Sequence, residues 1–85
     1  MTKDDLRAII LAELAGIAPE SEGIKIADNE DLREVFDLDS MDIYNLVIAL
    51  CGRLGVEIAD ADVGTLTTLA SGIDQLETAL ASARR

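Results

Sequence analysis

Three stretches of the chain carry apolar residues at helical spacing, and polar or turn-forming residues separate them. In the first, Leu6, Ile10 and Leu14 recur every fourth residue with Ile9 beside them, while Lys3, Asp4, Arg7 and Glu13 fall mostly off that face. Thr2, three residues before Asp5, is a variant of the capping box at the start of this helix, which is predicted to run to about Ala15 and stop at Gly16. In the second, Leu46, Val47, Leu50 and Leu54 form one face of a helix that opens at Asp39 and Asp42 and leaves through a left-handed Gly55. Met41, Tyr44, Ile48 and Cys51 form a second stripe about a quarter to a third of a turn away. Both stripes buried is one arrangement; an exposed second stripe would be a surface for partners. In the third, Leu69, Ile73, Leu76 and Leu80 define a last helix, with Thr67 or Thr68 as its cap and Arg84 and Arg85 at its negative end.

The intervals between them differ in character. Residues 16 to 38 hold Gly16, Pro19, Ser21, Gly23, Asp28 and Asn29, which break any long helix. Ile17, Ile24, Ile26, Leu32, Val35 and Phe36 are spaced as apolar anchors that could order this long connection, and a helical turn fits Asp31 to Val35. Between Asp60 and Gly64 there is room only for a short helical turn.

Composition narrows the fold. Nearly half the 85 residues are apolar but only 2% are aromatic, so the core is aliphatic, which suits a helical bundle better than a sheet sandwich. Eighty-five residues suffice for one small domain, read as residues 1–85. With 17 acids against 7 bases and a net charge of −10, nucleic acid and anionic lipid surfaces would repel the chain, and a basic partner is expected. No stretch supplies the roughly 20 apolar residues of a membrane span, and Asp4, Asp5 and Glu13 interrupt the apolar amino-terminal stretch, unlike a secretory signal. Membrane insertion is therefore not expected, and a cytoplasmic monomer is. The lone Cys51 allows no internal disulfide, consistent with a reducing compartment.

Several chemistries fail on residue type and spacing. A serine hydrolase centred on Ser40 needs an activating base; the chain has no histidine, and no Gly-x-Ser-x-Gly elbow surrounds that serine. A calcium loop counted from Asp37 puts Met41 and Ile48 where an oxygen ligand and a glutamate belong, and one counted from Asp60 puts Gly64 and Ser71 there. Cys51 lacks a partner for metal ligation. Neither a catalytic residue nor a metal site is expected.

The run Asp37-Leu38-Asp39-Ser40-Met41-Asp42 resembles the attachment signature of acyl carrier proteins, in which an aspartate-serine pair followed by a large apolar residue and an acid opens the second helix. The resemblance extends through Leu46, Val47, Leu50 and Leu54, the turn Gly55-Val56-Glu57-Ile58, and Leu66-Thr67-Thr68-Leu69. It implies an all-α, antiparallel four-helix bundle of three longer helices and one short helix with a long first loop. It also implies 4′-phosphopantetheine, donated by coenzyme A, on Ser40, with Asp39, Met41 and Asp42 around the attachment point and acyl groups carried as thioesters. A plain helix-cap hydroxyl is the competing role for Ser40. The implied partners are a phosphopantetheinyl transferase, which would read Asp39, and acyl-transferring and synthase enzymes with basic or apolar docking patches. Peptidyl carriers commonly approach the serine through Gly-Gly-x-Ser, unlike Asp-Leu-Asp-Ser here; an unmodified helical interaction module is the alternative of another class. One departure stands out. Housekeeping fatty-acid carriers usually place acids along the exposed face and end of helix two, where this chain has Asn45, Cys51, Gly52 and Arg53. A specialised carrier is expected, whose partner reads Met41, Tyr44 and Ile48 beside Asn45 more than a line of carboxylates.

Overall fold

The computed structural model of the chain describes residues 1–64 and 66–83, with backbone alone at positions 60 and 61. Three long helices dominate: α1 (Lys3–Ile17), α3 (Ser40–Leu54) and α5 (Leu69–Ala83), with a 3-10 turn at Pro19–Ser21 and short helices α2 (Leu32–Phe36) and α4 (Asp60–Val63) between them. No strand occurs among the described residues. Helix α1 packs against both α3 and α5. It is antiparallel to α5, since Lys3 pairs with Glu77 while Ile10 lies against Gly72.

The three apolar stripes meet in the core. Leu6, Ile10, Leu14, Leu46, Leu50, Leu66, Leu69 and Leu76 are fully buried, each stabilising the fold by about 1.5–3 kcal/mol relative to exposure. Ile43 is buried as well. A β-carbon at Gly72 would lie 3.1 Å from Cδ1 of Ile10 and 3.3 Å from Cγ of Leu66, so the missing side chain lets α5 approach closely.

Helix ends follow the local chemistry. Thr2 and Asp5 form the capping box: the Asp5 amide donates to Thr2 Oγ1 at 3.1 Å and the Thr2 amide to Asp5 Oδ2 at 3.1 Å. The helix passes Gly16, however, and ends at Ile17, where the half-buried Ile17 and buried Ala18 hold the extra turn against the core and Pro19 follows. Thr68, not Thr67, caps α5: the Ser71 amide donates to Thr68 Oγ1 at 3.1 Å and the Thr68 amide to Ser71 Oγ at 3.1 Å. Gly55 exits α3 at φ 67°. Arg84 and Arg85, expected at the end of α5, lie outside the described residues.

The long connection is tied down more by polar contacts than by the predicted anchors. Leu32 and Phe36 are buried and Ile17 and Ile26 partly so, but Ile24 and Val35 are exposed. Arg7 holds Asp28 with two parallel bonds, Nε to Oδ1 at 2.9 Å and Nη2 to Oδ2 at 2.5 Å. The Asp28 carbonyl accepts from the Ala70 amide at 3.0 Å, and the Leu32 amide donates to the Thr67 carbonyl at 2.7 Å. The loop is thereby fixed to α1 and to the start of α5, and its end is positioned for the turn into α3.

Candidate functional site

Asp31 caps α2, and the chain then reverses at Asp37, which adopts the left-handed conformation at φ 54°. Both the Asp37 and Leu38 amides donate to the Arg33 carbonyl, closing the turn. Among the described residues Asp37 is the one non-glycine residue at positive φ, a conformation Asp tolerates better than most. Helix α3 starts two residues after Leu38.

Its opening is a capping box of two carboxylates. The Asp42 amide donates to Asp39 Oδ1 at 2.9 Å and the Asp39 amide to Asp42 Oδ2 at 3.2 Å. Asp39 is therefore the cap and Ser40 the first helical residue, which removes the cap-hydroxyl role for Ser40. The Ser40 side chain is exposed and its hydroxyl has no hydrogen-bond partner among the described residues. The other serines are placed differently: Ser21 is buried, the Ser71 hydroxyl is engaged in the α5 cap, and Ser82 lies in the last turn of α5. An incoming phosphoryl group at Ser40 would meet the positive end of α3 and its unpaired first-turn amides. The residues present fit a phosphodiester at this serine.

The second stripe of α3 is on the surface. Met41 is 61% exposed, Tyr44 41% and Ile48 52%, with Asn45 exposed beside them and Cys51 half-buried. This apolar strip runs one way from Ser40 along α3, over a shallow cleft of about 400 Å³ that reaches Cys51 and Val56. Asp37 and Asp39 are exposed around the serine and Asp42 half-exposed. Arg53 is not a free cation: its Nη1 donates to Glu13 Oε1 of α1 at 3.2 Å.

Sequence reasoning placed Ser40, Asp39, Met41, Asp42, Tyr44, Asn45 and Ile48 on one helix, and the structure brings them together at its start and along one exposed face. It missed Arg33, which lines a cleft of about 270 Å³ with Ser40. Six residues lie between the two, the end of α2 and a non-periodic turn, and the left-handed Asp37 reverses the chain there. Among the described residues no three His, Cys, Asp or Glu side chains are grouped to hold a metal.

A small helical bundle with an unengaged serine at the head of its central acidic turn has the form of a covalent carrier. A family model described as the phosphopantetheine attachment site matches residues 4–76, and the chain belongs to this family of carrier proteins. It is similar to "Acyl carrier protein 2" of Pseudomonas aeruginosa, 40% identical over 52 residues that cover 61% of this chain and 66% of that protein. It is also similar to an acyl carrier protein of Acidothermus cellulolyticus, 32% identical over 77 residues, or 87% of this chain and 92% of that one. No solved structure matches. Family membership implies a covalently attached 4′-phosphopantetheine group.

Proposed function

We propose that Ser40 is the attachment point and that the chain carries acyl intermediates as thioesters in fatty acid, polyketide or related lipid biosynthesis. The observation that carries this reading is the Ser40 hydroxyl, exposed and unpartnered at the first residue of α3 inside the matched segment. When bound, the prosthetic group supplies the thiol on which acyl groups are held. The chain itself is not a catalyst in this reading. Its residues supply the anchor, the surroundings of the anchor and the surface that enzymes recognise. Asp39 and Asp42 set the first turn of α3 and so fix the backbone at Ser40; their carboxylates are occupied by amides and repel a phosphate, which suits recognition by a phosphopantetheinyl transferase better than binding of the product.

Met41, Tyr44 and Ile48, with Asn45 between them, form the docking strip for acyl-transferring and synthase enzymes. An apolar strip with a polar-tipped aromatic favours partners with apolar as well as basic patches, and the absence of acids from Asn45 to Leu54 favours a specialised pathway. No helix among the described residues is long and apolar enough to cross a membrane.

Two measurements test this. Incubation with coenzyme A and a phosphopantetheinyl transferase, followed by peptide mapping, is expected to locate the added mass on the peptide containing Ser40; added mass elsewhere contradicts the assignment. Asn45→Glu in the loaded protein is expected to improve its use by the ketosynthase of a general fatty-acid synthase, since a rim carboxylate raises association with a basic patch. It is cleaner than changing Arg53, which would set a second carboxylate against Glu13. Unchanged turnover for Asn45→Glu, or wild-type turnover equal to that of a housekeeping carrier, contradicts the specialisation.

A further inference from the structure

The cleft beside Ser40 has an apolar floor and one cation at its rim. Ile43 and Val63 are buried beneath it, Tyr44 and Gly64 complete its wall, and Arg33 reaches it from α2. Arg33 is the one basic residue between Lys25 and Arg53, in a stretch with seven acids. Its backbone is fixed relative to Ser40, because its carbonyl accepts both amides of the turn that leads into α3. Its guanidinium is held from one side: Nε donates to Asp31 Oδ1 at 3.2 Å and Nη2 to Asp31 Oδ2 at 3.0 Å. That leaves Nη1 and the second hydrogen of Nη2 without a partner among the described residues, on a side chain 49% exposed.

We propose that Arg33 is a positioning residue for the prosthetic group: its unused guanidinium donors bind the phosphodiester on Ser40 and lay the adjoining part of the arm into this cleft. The inference rests on Ser40 being the attachment point. A phosphodiester at Ser40 adds a negative charge beside Asp37, Asp39 and Asp42, and the amides at the start of α3 supply only partial positive charge. Arg33 is the full cation that the same cleft offers. Its attraction to phosphate is charge-assisted and directional, and the fork to Asp31 uses only Nε and one hydrogen of Nη2, so a phosphate is bound alongside Asp31 through the remaining donors. Asp31 keeps both of its roles, since its carboxylate also caps α2 through the Arg33 amide at 2.9 Å. At about 270 Å³ the cleft is smaller than the roughly 300–1,000 Å³ of pockets for drug-sized ligands, so it accommodates the phosphate-proximal part of the arm and not a whole acylated arm.

The test is nuclear magnetic resonance on the unloaded and loaded full chain, with loading verified by mass. In the wild type the Arg33 Nη–Hη signals are expected to move and their exchange with solvent to slow on loading, because Nη1 and Nη2 carry the donors that Asp31 leaves unused. The phosphorus signal of the loaded protein is expected to shift in Arg33→Gln and to fall between the two in Arg33→Lys, which keeps the charge but not the fork. If the wild type loads at Ser40 and the Arg33 signals stay where they were, the inference about Arg33 is overturned and the attachment point stands. If the wild type gains no arm at Ser40, both fall. Should Arg33→Gln fail to load or fold, the wild-type Arg33 signals decide alone.

Discussion

At Asp37 and Ser40, two neighbouring polar residues do opposite things. Asp37 takes on backbone strain so that the chain can reverse between α2 and α3, and Ser40 takes on nothing, neither cap nor hydrogen bond. Asp37→Val is therefore expected to destabilise the protein by about 1–2 kcal/mol, because a β-branched residue pays the full cost of the left-handed conformation, while Asp37→Gly is tolerated. Urea unfolding of the two variants checks this, and equal midpoints contradict it. The turn was not legible in the sequence: Asp37 reads as one more acid in a signature, and the tolerance of Asp for positive φ does not single it out from the other aspartates around it. Ser40 was legible, since its neighbours quote a known pattern, but its structural role was not. A serine beside an aspartate at a helix start can be cap or first residue, and only the geometry of Asp39 and Asp42 decides between them.

Among the elements, the long helices were readable because each buries one periodic stripe, and periodicity survives without knowledge of neighbours. The connection from Pro19 to Asp31 was not, because its order comes from partners distant in sequence: Arg7 on Asp28, Ala70 on the Asp28 carbonyl, Thr67 on Leu32. Apolar spacing pointed to Ile24 and Val35 as anchors, and both are at the surface. The paired guanidinium of Arg7 holds the Asp28 carboxyl below the ordinary carboxylate range. A carboxyl depressed in the folded state stabilises fully above its unfolded value near 3.9, and that stability is lost as pH falls through the lower folded value. Asp28→Asn should thus be less stable than wild type at pH 7, and the gap should close below about pH 4. Melting curves across that range test the tether; a gap independent of pH would mean that Arg7 and Asp28 do not contribute through charge.

For the whole molecule, charge dominates. A net charge of −10 is confined to a body with a radius of gyration of 11.9 Å, comparable to the Debye length of about 10 Å at 0.1 M salt. Moving from low to moderate salt therefore screens most of the long-range repulsion. Pairs such as Lys3–Glu77 and Arg53–Glu13 weaken at the same time, but exposed pairs contribute about 0–1 kcal/mol each, so relief of repulsion wins and the melting temperature should rise. A flat or falling trend would contradict this balance. The same surplus of acids opposes association with nucleic acid and suits the basic patches of the partner enzymes proposed above. The central claim is that this bundle exists to present one serine, and the intact mass of wild type and Ser40→Ala after treatment with coenzyme A and a phosphopantetheinyl transferase tests it most directly. The account predicts one added arm on the wild type and none on Ser40→Ala, whose stability stays within about 0.5 kcal/mol because the lost hydroxyl bonds nothing. An unmodified wild type, or a Ser40→Ala variant that still gains the arm, would contradict it.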